Sequence, residues 1–255
     1  MPFHSTAIIS SKADLGQNVS IGAYTIIEDD VTIGDGTTIG NHNTICEGTT
    51  MGSNCTIYHN CSIGEAPQDL KYAGEKTKVI IGNNVIIRES VTINRGTIAY
   101  GKTEIGSNVL LMACAHVAHD CIIGNHTIMA NLATLGGHVE LGEYVNLGGG
   151  VLVHQFGKIG SHSFVGGGYR VVKDVPPFII VAGEPLRFGG INKIGLQRRG
   201  YSYENRSLIK KAYRLFFISK MNRSDALNKI KSELPATDEI NSIIQFIESS
   251  DRGII

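Results

Sequence analysis

An aliphatic residue recurs at every sixth position of this chain from Ile9 to Val171, and its phase survives two interruptions. The repeating residues are Ile9, Leu15, Ile21, Ile27, Ile33, Ile39, Ile45, Met51, Ile57, Ile63, Ile81, Ile87, Ile93, Ile105, Leu111, Val117, Ile123, Met129, Leu135, Leu141, Leu147, Val153, Ile159, Val165 and Val171. Neither an ordinary helix nor an alternating strand has this period, which is typical of a hexapeptide solenoid, a parallel β-helix. The chain is therefore predicted to be mainly β, although the repeat leaves the handedness of the coil open.

Three hexads are expected to close one triangular coil, so residues eighteen positions apart should be stacked roughly 4.8 Å apart. The aliphatic side chain of each hexad points inward, and a small or β-branched residue four positions later, such as Val19 or Thr25, fills a second inward position. Glycine often follows the aliphatic residue, as in Ile33-Gly34, and is predicted to turn the corner with a positive φ.

Two segments break the aliphatic repeat without changing its phase. Residues 65–78 are predicted to leave the coil as a loop, because the repeat positions there hold Asp69 and Glu75, which cannot belong to the core. A smaller excursion is expected between Ile93 and Ile105. Loops on a rigid scaffold are common sites of function.

The formal net charge of the chain is zero, so its composition gives no overall attraction to nucleic acid or to a membrane. The charge is nevertheless divided, since residues 1–191 carry 11 Lys/Arg and 16 Asp/Glu, whereas residues 192–255 carry 12 and 7. The segment Asn192–Arg214 is the most basic. It is expected to face an anionic partner, unless it is simply a solvated helical face.

The cysteines and the apolar segments predict a cytoplasmic protein. The N-terminal residues do not resemble a signal peptide, and no apolar run approaches the ~18 residues of a membrane span. The five cysteines lack a CxxC motif and are expected to be core thiols in a reducing compartment. They are Cys46, Cys55, Cys61, Cys114 and Cys121.

The aliphatic repeat fades after Val171, and a helical period begins near Glu204. A second helix is predicted over Asp225–Leu234 with Ser224 as its N-cap, and a third over Asp238–Ser249 with Thr237 as its N-cap. We therefore expect a β-helix over residues 1–190 and a small C-terminal α-helical domain over residues 191–255. So small a domain should pack on the end of the solenoid or on a neighbouring subunit.

The string from His116 to Asp120 carries the residues best suited to chemistry. The eighteen-residue spacing stacks one edge from His119, Asp120, Gly137, His138, His154 and Gln155. An imidazole beside a carboxylate suits general base catalysis, because it titrates near 6.5 and the carboxylate can fix its tautomer. Since Gly137 has no side chain, its backbone N–H could approach a developing oxyanion.

Two other interpretations of this cluster remain open. It could be a stacked polar ladder that only satisfies the surface of the solenoid. It could also be a zinc site, since His116, His119 and His138 are potential ligands. The spacing of His116 and His119 does not match that of the hexapeptide carbonic anhydrases, and no metal is expected.

Several strings of the chain point to one family. They are Gln68-Asp69-Leu70-Lys71-Tyr72-Ala73-Gly74-Glu75, Ile87-Arg88-Glu89-Ser90-Val91-Thr92-Ile93, His116-Val117-Ala118-His119-Asp120-Cys121, Val153-His154-Gln155-Phe156, Asp174-Val175-Pro176-Pro177 and Gly195-Leu196-Gln197-Arg198-Arg199-Gly200. Together they resemble the acyl-[acyl-carrier-protein]–UDP-N-acetylglucosamine O-acyltransferase family of lipid A biosynthesis. The resemblance runs over nearly the whole chain.

The resemblance implies a left-handed β-helix and a homotrimer with active sites between subunits. The implied reaction moves an R-3-hydroxyacyl group from acyl carrier protein to the 3-hydroxyl of UDP-N-acetylglucosamine. No permanently bound cofactor is implied, because the acyl group arrives on the phosphopantetheine of acyl carrier protein. That protein is strongly acidic, so Lys193–Arg214 becomes its expected docking surface.

The resemblance also implies roles for individual residues. His119 would be the general base, Asp120 would orient it, and the Gly137 N–H would stabilise the oxyanion. The residues implied to contact substrate are Gln68, Asp69, Lys71, His116, His138, His154 and Gln155, with Asn192, Arg198 and Arg199 at the nucleotide end. Gly167 matches the position that limits the acyl pocket, and glycine there favours a longer chain.

The chain departs from the family pattern at two positions and has two rival interpretations. Asn94 stands where some members have histidine, and Ile194 stands where an acidic residue often lies near the nucleotide. The rival enzyme is a related hexapeptide N-acyltransferase acting on a UDP-amino sugar, which usually has a large N-terminal uridine-binding domain. The rival class is a non-catalytic solenoid scaffold, which would need neither a polar excursion nor a His-Asp pair.

Overall fold

The computed structural model describes residues 3–255. In chain order the strands are β1 (Ile8–Ile9), β2 (Asp14–Leu15), β3 (Ser20–Ile21), β4 (Ile26–Ile27), β5 (Thr32–Ile33), β6 (Thr38–Ile39), β7 (Thr44–Ile45), β8 (Thr49–Met51), β9 (Thr56–Ile57), β10 (Ser62–Glu65), β11 (Lys78–Ile81), β12 (Ile86–Ile87), β13 (Thr92–Asn94), β14 (Lys102–Ile105), β15 (Leu110–Leu111), β16 (His116–Val117), β17 (Ile122–Ile123), β18 (Ile128–Met129), β19 (Thr134–Leu135), β20 (Glu140–Leu141), β21 (Asn146–Leu147), β22 (Leu152–Val153), β23 (Lys158–Ile159), β24 (Phe164–Val165), β25 (Arg170–Val171), β26 (Ile179–Ala182) and β27 (Arg187–Ile191). The helices are α1 (Lys193–Arg198), α2 (Tyr203–Tyr213), a π-helix (Arg214–Ile218), α3 (Arg223–Glu233) and α4 (Asp238–Glu248).

The strands form the three faces of a triangular prism. The first sheet contains every third strand from β1 to β25, and the second contains every third strand from β2 to β23. The third sheet runs from β3 to β24 in the same way and continues into β26 and β27. Residues eighteen apart pair in parallel register, as Ile8 does with Ile26, so the predicted parallel β-helix is confirmed. We call the corner after each sheet the first, second or third edge.

The aliphatic repeat residues lie inside the coil, as predicted. From Ile21 to Val171 they are buried, whereas Ile9 and Leu15 in the first coil are only partly buried. The second inward position is buried as well, and the Thr25 hydroxyl there donates to the Gly40 carbonyl at 2.7 Å. Burying each large aliphatic side chain contributes about 1.5–3 kcal/mol, so the repeat forms the core.

The prediction that a glycine with positive φ directly follows the aliphatic residue is wrong. The left-handed residue is the third after it, where φ is +69° at Gly36, +57° at His42 and +58° at Asp120. Asn, Asp and His tolerate this conformation better than most residues. Gly34 is small for another reason, because a Cβ there would lie 2.6 Å from the carbonyl carbon of Gly52 in the next coil.

Two excursions leave the coil, and both do so at the first edge. Strand β10 pairs with β13 thirty residues later, and β13 pairs with β16 twenty-four residues later, instead of the usual eighteen. The extra residues form a long excursion (66–77) and a short excursion (95–101). The long one is shorter than the predicted 65–78, because Glu65 and Lys78 belong to the flanking strands.

After the last coil, the antiparallel hairpin of β26 and β27 leads into the helices. The sequence pattern missed α1, which is only six residues long. It also placed the cap of α3 wrongly, since Asn222 rather than Ser224 accepts from the Asp225 N–H. Thr237 caps α4 as predicted. Helix α2 starts one residue before the predicted Glu204. Helices α3 and α4 each end one residue before the predicted boundary.

The helices pack on the end of the solenoid. The fully buried Tyr213 of α2 donates its hydroxyl hydrogen to the Pro177 carbonyl at 2.6 Å. The C-terminal tail returns to the prism, where Ser250 donates to the buried carboxylate of Asp174 at 2.6 Å. Asp174 therefore holds the tail in place.

Four of the five cysteines are buried as predicted, but Cys114 is exposed. It occupies the left-handed corner position, with φ of +60°, so its side chain points out of the prism. All five are free thiols, and burial raises the pKa of Cys61 to about 11 and that of Cys121 to about 12. No helix among residues 3–255 is long and apolar enough to cross a membrane.

Candidate active site

His119 and Asp120 follow β16 at the first edge, one coil beyond the short excursion. The ring Nδ1 of His119 lies 2.8 Å from Asp120 Oδ2. The Asp120 side chain is fully buried, whereas 14% of the His119 side chain is exposed. Because Nδ1 faces the carboxylate, Nε2 is the ring nitrogen left for a substrate.

The Asp120 carboxylate is held by a residue that the sequence pattern did not identify. Thr97 donates its backbone N–H to Oδ1 at 2.9 Å and its hydroxyl hydrogen to Oδ2 at 2.7 Å. The Asp120 N–H in turn donates to the Thr103 hydroxyl at 2.9 Å. The eighteen-residue spacing cannot find Thr97, because Thr97 lies on the short excursion, which departs from that spacing.

His138 lies one coil above the pair, as the spacing predicted. Its Nε2 is 3.7 Å from Asp120 Oδ2, and its ring meets the His119 ring edge to face at 5.1 Å between centroids. On its other side it stacks on Phe156 at 4.5 Å. Burial lowers the pKa of His138 below its ordinary value, against the opposing effect of Asp120. This lowering of the pKa favours the neutral form of His138.

Gly137 lies over the His119 ring, again as predicted. A Cβ at Gly137 would be 2.6 Å from His119 Cε1 and 2.7 Å from Nε2, so only glycine fits beside the ring. At the same hexad position on the second edge a side chain can cap the backbone N–H, as the Asn83 Oδ1 accepts from the Ser53 N–H at 2.8 Å. Among residues 3–255 the Gly137 N–H has no hydrogen-bond acceptor. It is available to an oxyanion beside the base.

His116 occupies the outward position of β16, and its Nδ1 lies 2.7 Å from the Thr92 hydroxyl. Burial and the nearby His119 lower its pKa. The three histidines of the predicted zinc alternative do not converge as a set. The group whose potential ligand atoms lie within 4.8 Å of one another is His119, Asp120 and His138, within the part of the chain described. Thr97 and His119 already occupy the Asp120 oxygens in that group.

The long excursion presents its polar residues at this same edge. Gln68 and Lys71 are exposed, and the carboxylate of Asp69 accepts from the Lys71 N–H at 2.9 Å. Burial lowers the pKa of His138, and Asp69 is close enough to oppose that lowering weakly. The base of the loop is fixed by the buried Asn94, whose amide donates to the Ala66 carbonyl at 2.8 Å. Asn94 thus anchors the loop to the end of β13.

His154 and Gln155 follow β22 at the first edge, one coil above Gly137, and both are exposed. The Cβ position of Gly136 lies 2.8 Å from the Gln155 backbone nitrogen, which confirms their stacking. Neither side chain is hydrogen-bonded to His119 or Asp120; the His154 ring lies 3.1 Å from the Gln155 carbonyl. They extend the polar edge rather than the pair itself.

The three residues predicted for the nucleotide end lie elsewhere, beside the second edge. Asn192 is buried, caps α1 and donates to the His162 carbonyl at 2.8 Å. Arg198 is exposed at the end of α1. The Arg199 guanidinium lies 4.8 Å from the centre of the Tyr144 ring, in the range of a cation–π contact.

An aromatic column that the sequence reasoning missed lines this second edge. It consists of the stacked rings of His126, Tyr144, His162 and Phe178. The first three are spaced by eighteen residues, so the repeat itself contained the signal. Burial and Arg199 lower the pKa of His162 to about 4. Together with Arg199 and Tyr201, His162 lines a cavity of about 460 Å³, whose wall also carries the carboxylates of Asp238 and Glu239.

Gly167 lies on the third edge, in a corner that consists only of glycine. Gly166-Gly167-Gly168 stacks on Gly148-Gly149-Gly150 in the preceding coil. A Cβ at Gly167 would lie 3.0 Å from the Gly149 carbonyl oxygen, so a side chain there fits only tightly. The two corners form a side-chain-free strip of backbone.

Comparisons with known proteins match the whole chain. A family described as UDP N-acetylglucosamine O-acyltransferase, domain 2, matches residues 174–255, and the bacterial transferase hexapeptide family matches residues 12–47 and 102–137. The acyl-[acyl-carrier-protein]–UDP-N-acetylglucosamine O-acyltransferase of Thermodesulfovibrio yellowstonii is 49% identical, over 98% of both chains. That of Thiobacillus denitrificans is 46% identical, over 99% of this chain and 98% of its own.

The likeness extends to a solved structure, that of LpxA from Acinetobacter baumannii. It is 43% identical and superposes with a TM-score of 0.97 over 100% of both chains. This agreement confirms the expected fold class, a left-handed parallel β-helix followed by a small α-helical domain.

Proposed function

Because the chain belongs to the acyl-[acyl-carrier-protein]–UDP-N-acetylglucosamine O-acyltransferase family, we propose that His119 is the general base of its acyl transfer. The chain is an acyltransferase of the first step of lipid A biosynthesis, with acyl carrier protein as donor and UDP-N-acetylglucosamine as acceptor. The observation that carries the role of His119 is its geometry. Its Nδ1 faces a buried carboxylate, and a glycine with a free N–H lies against its ring.

The proposed reaction follows from that arrangement. Nε2 of His119 takes the proton of the sugar 3-hydroxyl while the oxygen attacks the thioester carbonyl of an R-3-hydroxyacyl donor. The Gly137 N–H binds the resulting oxyanion, and Asp120 supports the imidazolium. Collapse breaks the C–S bond, and the phosphopantetheine thiolate takes the proton back from His119. No permanently bound cofactor takes part.

The remaining edge residues are proposed to bind substrate around this centre. Asp69 and Lys71, with Gln68 beside them, are placed on the long excursion to hold the sugar and the acyl hydroxyl. The His138 ring, whose Nε2 is 3.7 Å from Asp120 Oδ2 and therefore not hydrogen-bonded to it, can donate to substrate. His116, His154 and Gln155 line the path along the same edge.

We propose that the active enzyme is a homotrimer with sites between subunits. His119, Arg199 and Gly167 lie at three different edges of one prism, so one substrate cannot reach all three within a single chain. A row of outward apolar residues on the third sheet, including Ile86 and Phe164, is left exposed in a single chain. Adjacent prisms that cover this row would bring different edges together. The free thiols support the proposal of a cytoplasmic enzyme.

An acceptor and donor panel tests the proposed function. The enzyme should transfer hydroxyacyl groups from acyl carrier protein to UDP-N-acetylglucosamine faster than to its 3-amino analogue. A clear preference for the amine would favour the rival N-acyltransferase interpretation. Absence of transfer with every acyl length would favour a scaffold.

Replacing Gly167 by methionine is expected to shift the preference toward shorter acyl chains. The new side chain would stand on the glycine strip, where the Gly149 carbonyl leaves it little room to turn aside. One methylene in an apolar pocket changes discrimination by about 10–200-fold, so the longest accepted donor should lose most. Measuring kcat/KM over a series of donors of different acyl length checks this. An unchanged dependence on acyl length would show that Gly167 does not limit the acyl chain.

Neutralising one cation of α2 and one at the start of the π-helix is expected to weaken the use of acyl carrier protein. Lys210 and Arg214 line an apolar groove of about 610 Å³ that we propose as part of the docking surface. Replacing both with glutamine should raise KM for the acyl-protein roughly tenfold at low ionic strength, with kcat nearly kept. The matched control replaces Lys229 and Lys231 of α3, which removes equal charge elsewhere. Equal effects of the two variants would contradict the docking surface.

A further inference from the structure

We infer that Thr97 is a positioning residue that fixes the His119–Asp120 pair, an inference that rests on the role proposed for His119. Thr97 belongs to the short excursion and is 8% exposed, so substrate does not need to touch it. Its two hydrogen bonds to Asp120 define the orientation of the carboxylate that lies against the His119 ring.

The Thr97 hydroxyl has a defined direction. Its oxygen accepts from the Ala99 N–H at 3.2 Å, which leaves its single hydrogen for Asp120. The oxygen that receives this hydrogen is Oδ2, the same one that lies 2.8 Å from His119 Nδ1. Because the Thr97 backbone N–H donates to Oδ1, Thr97 is hydrogen-bonded to both oxygens of the carboxylate.

The short excursion is fixed in turn by the end of the long one. The buried Thr77 hydroxyl donates to the Gly96 carbonyl at 2.6 Å, and the Lys78 N–H donates to the Gly101 carbonyl at 3.0 Å. One hydrogen-bonded path therefore runs from the long excursion through Thr97 to Asp120 and His119. The six extra residues of the short excursion bring the Thr97 N–H and hydroxyl to the Asp120 carboxylate. A corner without an insertion would not supply these two donors.

Removal of the Thr97 hydroxyl has a predictable electrostatic effect. Asp120 Oδ2 would interact more strongly with the His119 imidazolium, because it would no longer accept the hydrogen bond from the Thr97 hydroxyl. The other titratable groups facing this ring are His138 above it, His116 before it on β16, and Asp69 through His138. None of them bonds to Thr97, so the change acts through Asp120.

The test compares Thr97→Val with Thr97→Ser and Thr103→Val. Valine keeps the shape and the backbone donor of Thr97 but lacks the hydroxyl, whereas serine keeps both donors. We expect Thr97→Val to lower kcat about 10–100-fold with little change in KM, the range of one hydrogen bond to a charged group. The acidic limb of the kcat/KM profile should move to higher pH, and Thr97→Ser should restore both. Thr103→Val should lower the Tm without moving the limb, because Thr103 bonds only the Asp120 backbone.

An NMR titration of the His119 ring separates this inference from the proposed function. Its midpoint should rise in Thr97→Val relative to the unchanged protein, whether or not His119 is the base. Wild-type turnover by His119→Ala would remove the catalytic role, and the titration would still decide the positioning role. An unchanged midpoint, or equal losses in the serine and valine variants, would overturn the inference.

Discussion

Replacement of His119 by alanine is expected to lower kcat about 10²–10⁴-fold, the contribution of a positioned general base. His119 presents Nε2 outward with its tautomer fixed by Asp120, and burial lowers the pKa of the neighbouring His138. KM should change little, because proton transfer is realised in the transition state rather than in substrate binding. Steady-state transfer from hydroxyacyl-carrier protein to UDP-N-acetylglucosamine measures both constants.

A second corner histidine provides the control for this variant. His42 has a left-handed backbone and stacks on Tyr24 at the third edge, whereas the excursions leave at the first edge. His42→Asn keeps a residue that tolerates a positive φ and should retain full turnover. Undiminished kcat in His119→Ala would remove the proposed base, while equal losses in both variants would point to a general folding defect.

Replacement of Gly137 by alanine is expected to lower kcat about 10²–10³-fold, as loss of an oxyanion donor does. The new Cβ would overlap the His119 ring, so the ring must swing away from Asp120 or the corner must shift. Either movement separates the base from the free N–H. Since Gly137 has no positive φ, the backbone itself accepts alanine, and the coil should still form.

The folding cost of this change can be measured at the same hexad position on the third edge. A Cβ at Gly149 would meet only the Asn131 carbonyl oxygen, at 3.4 Å. The Tm of Gly149→Ala therefore gives the cost of an ordinary corner substitution. If Gly137→Ala kept wild-type kcat, neither the ring contact nor the N–H would matter to the chemistry. A normal Tm with low kcat would support both.

The repeat predicted much of this molecule because one periodic constraint fixes many contacts at once. The eighteen-residue spacing alone predicts that Gly137 lies against His119 and that His138 lies beside Asp120, and the structure has both. The same spacing could have found the aromatic column of Tyr144 and His162. The eighteen-residue spacing therefore predicts every contact between equivalent residues of successive coils.

The features that the sequence did not reveal are those that leave the repeat. Thr97 lies on inserted residues, so no spacing relates it to Asp120, and only the folded loop brings the two together. Helix α1 is too short to show a period, and its cap Asn192 was interpreted as a ligand residue alone. The sequence could not show why glycine follows the aliphatic residue, because both a positive φ and the close approach of two coils require glycine. The structure shows that close approach is the reason.

The lengths of the two excursions have a consequence for how such a prism can vary. They add twelve and six residues, so each equals a whole number of hexads, and Ile81 and Ile105 return to the interior in the original phase. An inserted hexad can therefore form a loop at this edge, and every later residue still lies on the same sheet and points to the same side. Insertion of whole hexads can therefore change the residues at the active-site edge without changing the packing of the remaining coils.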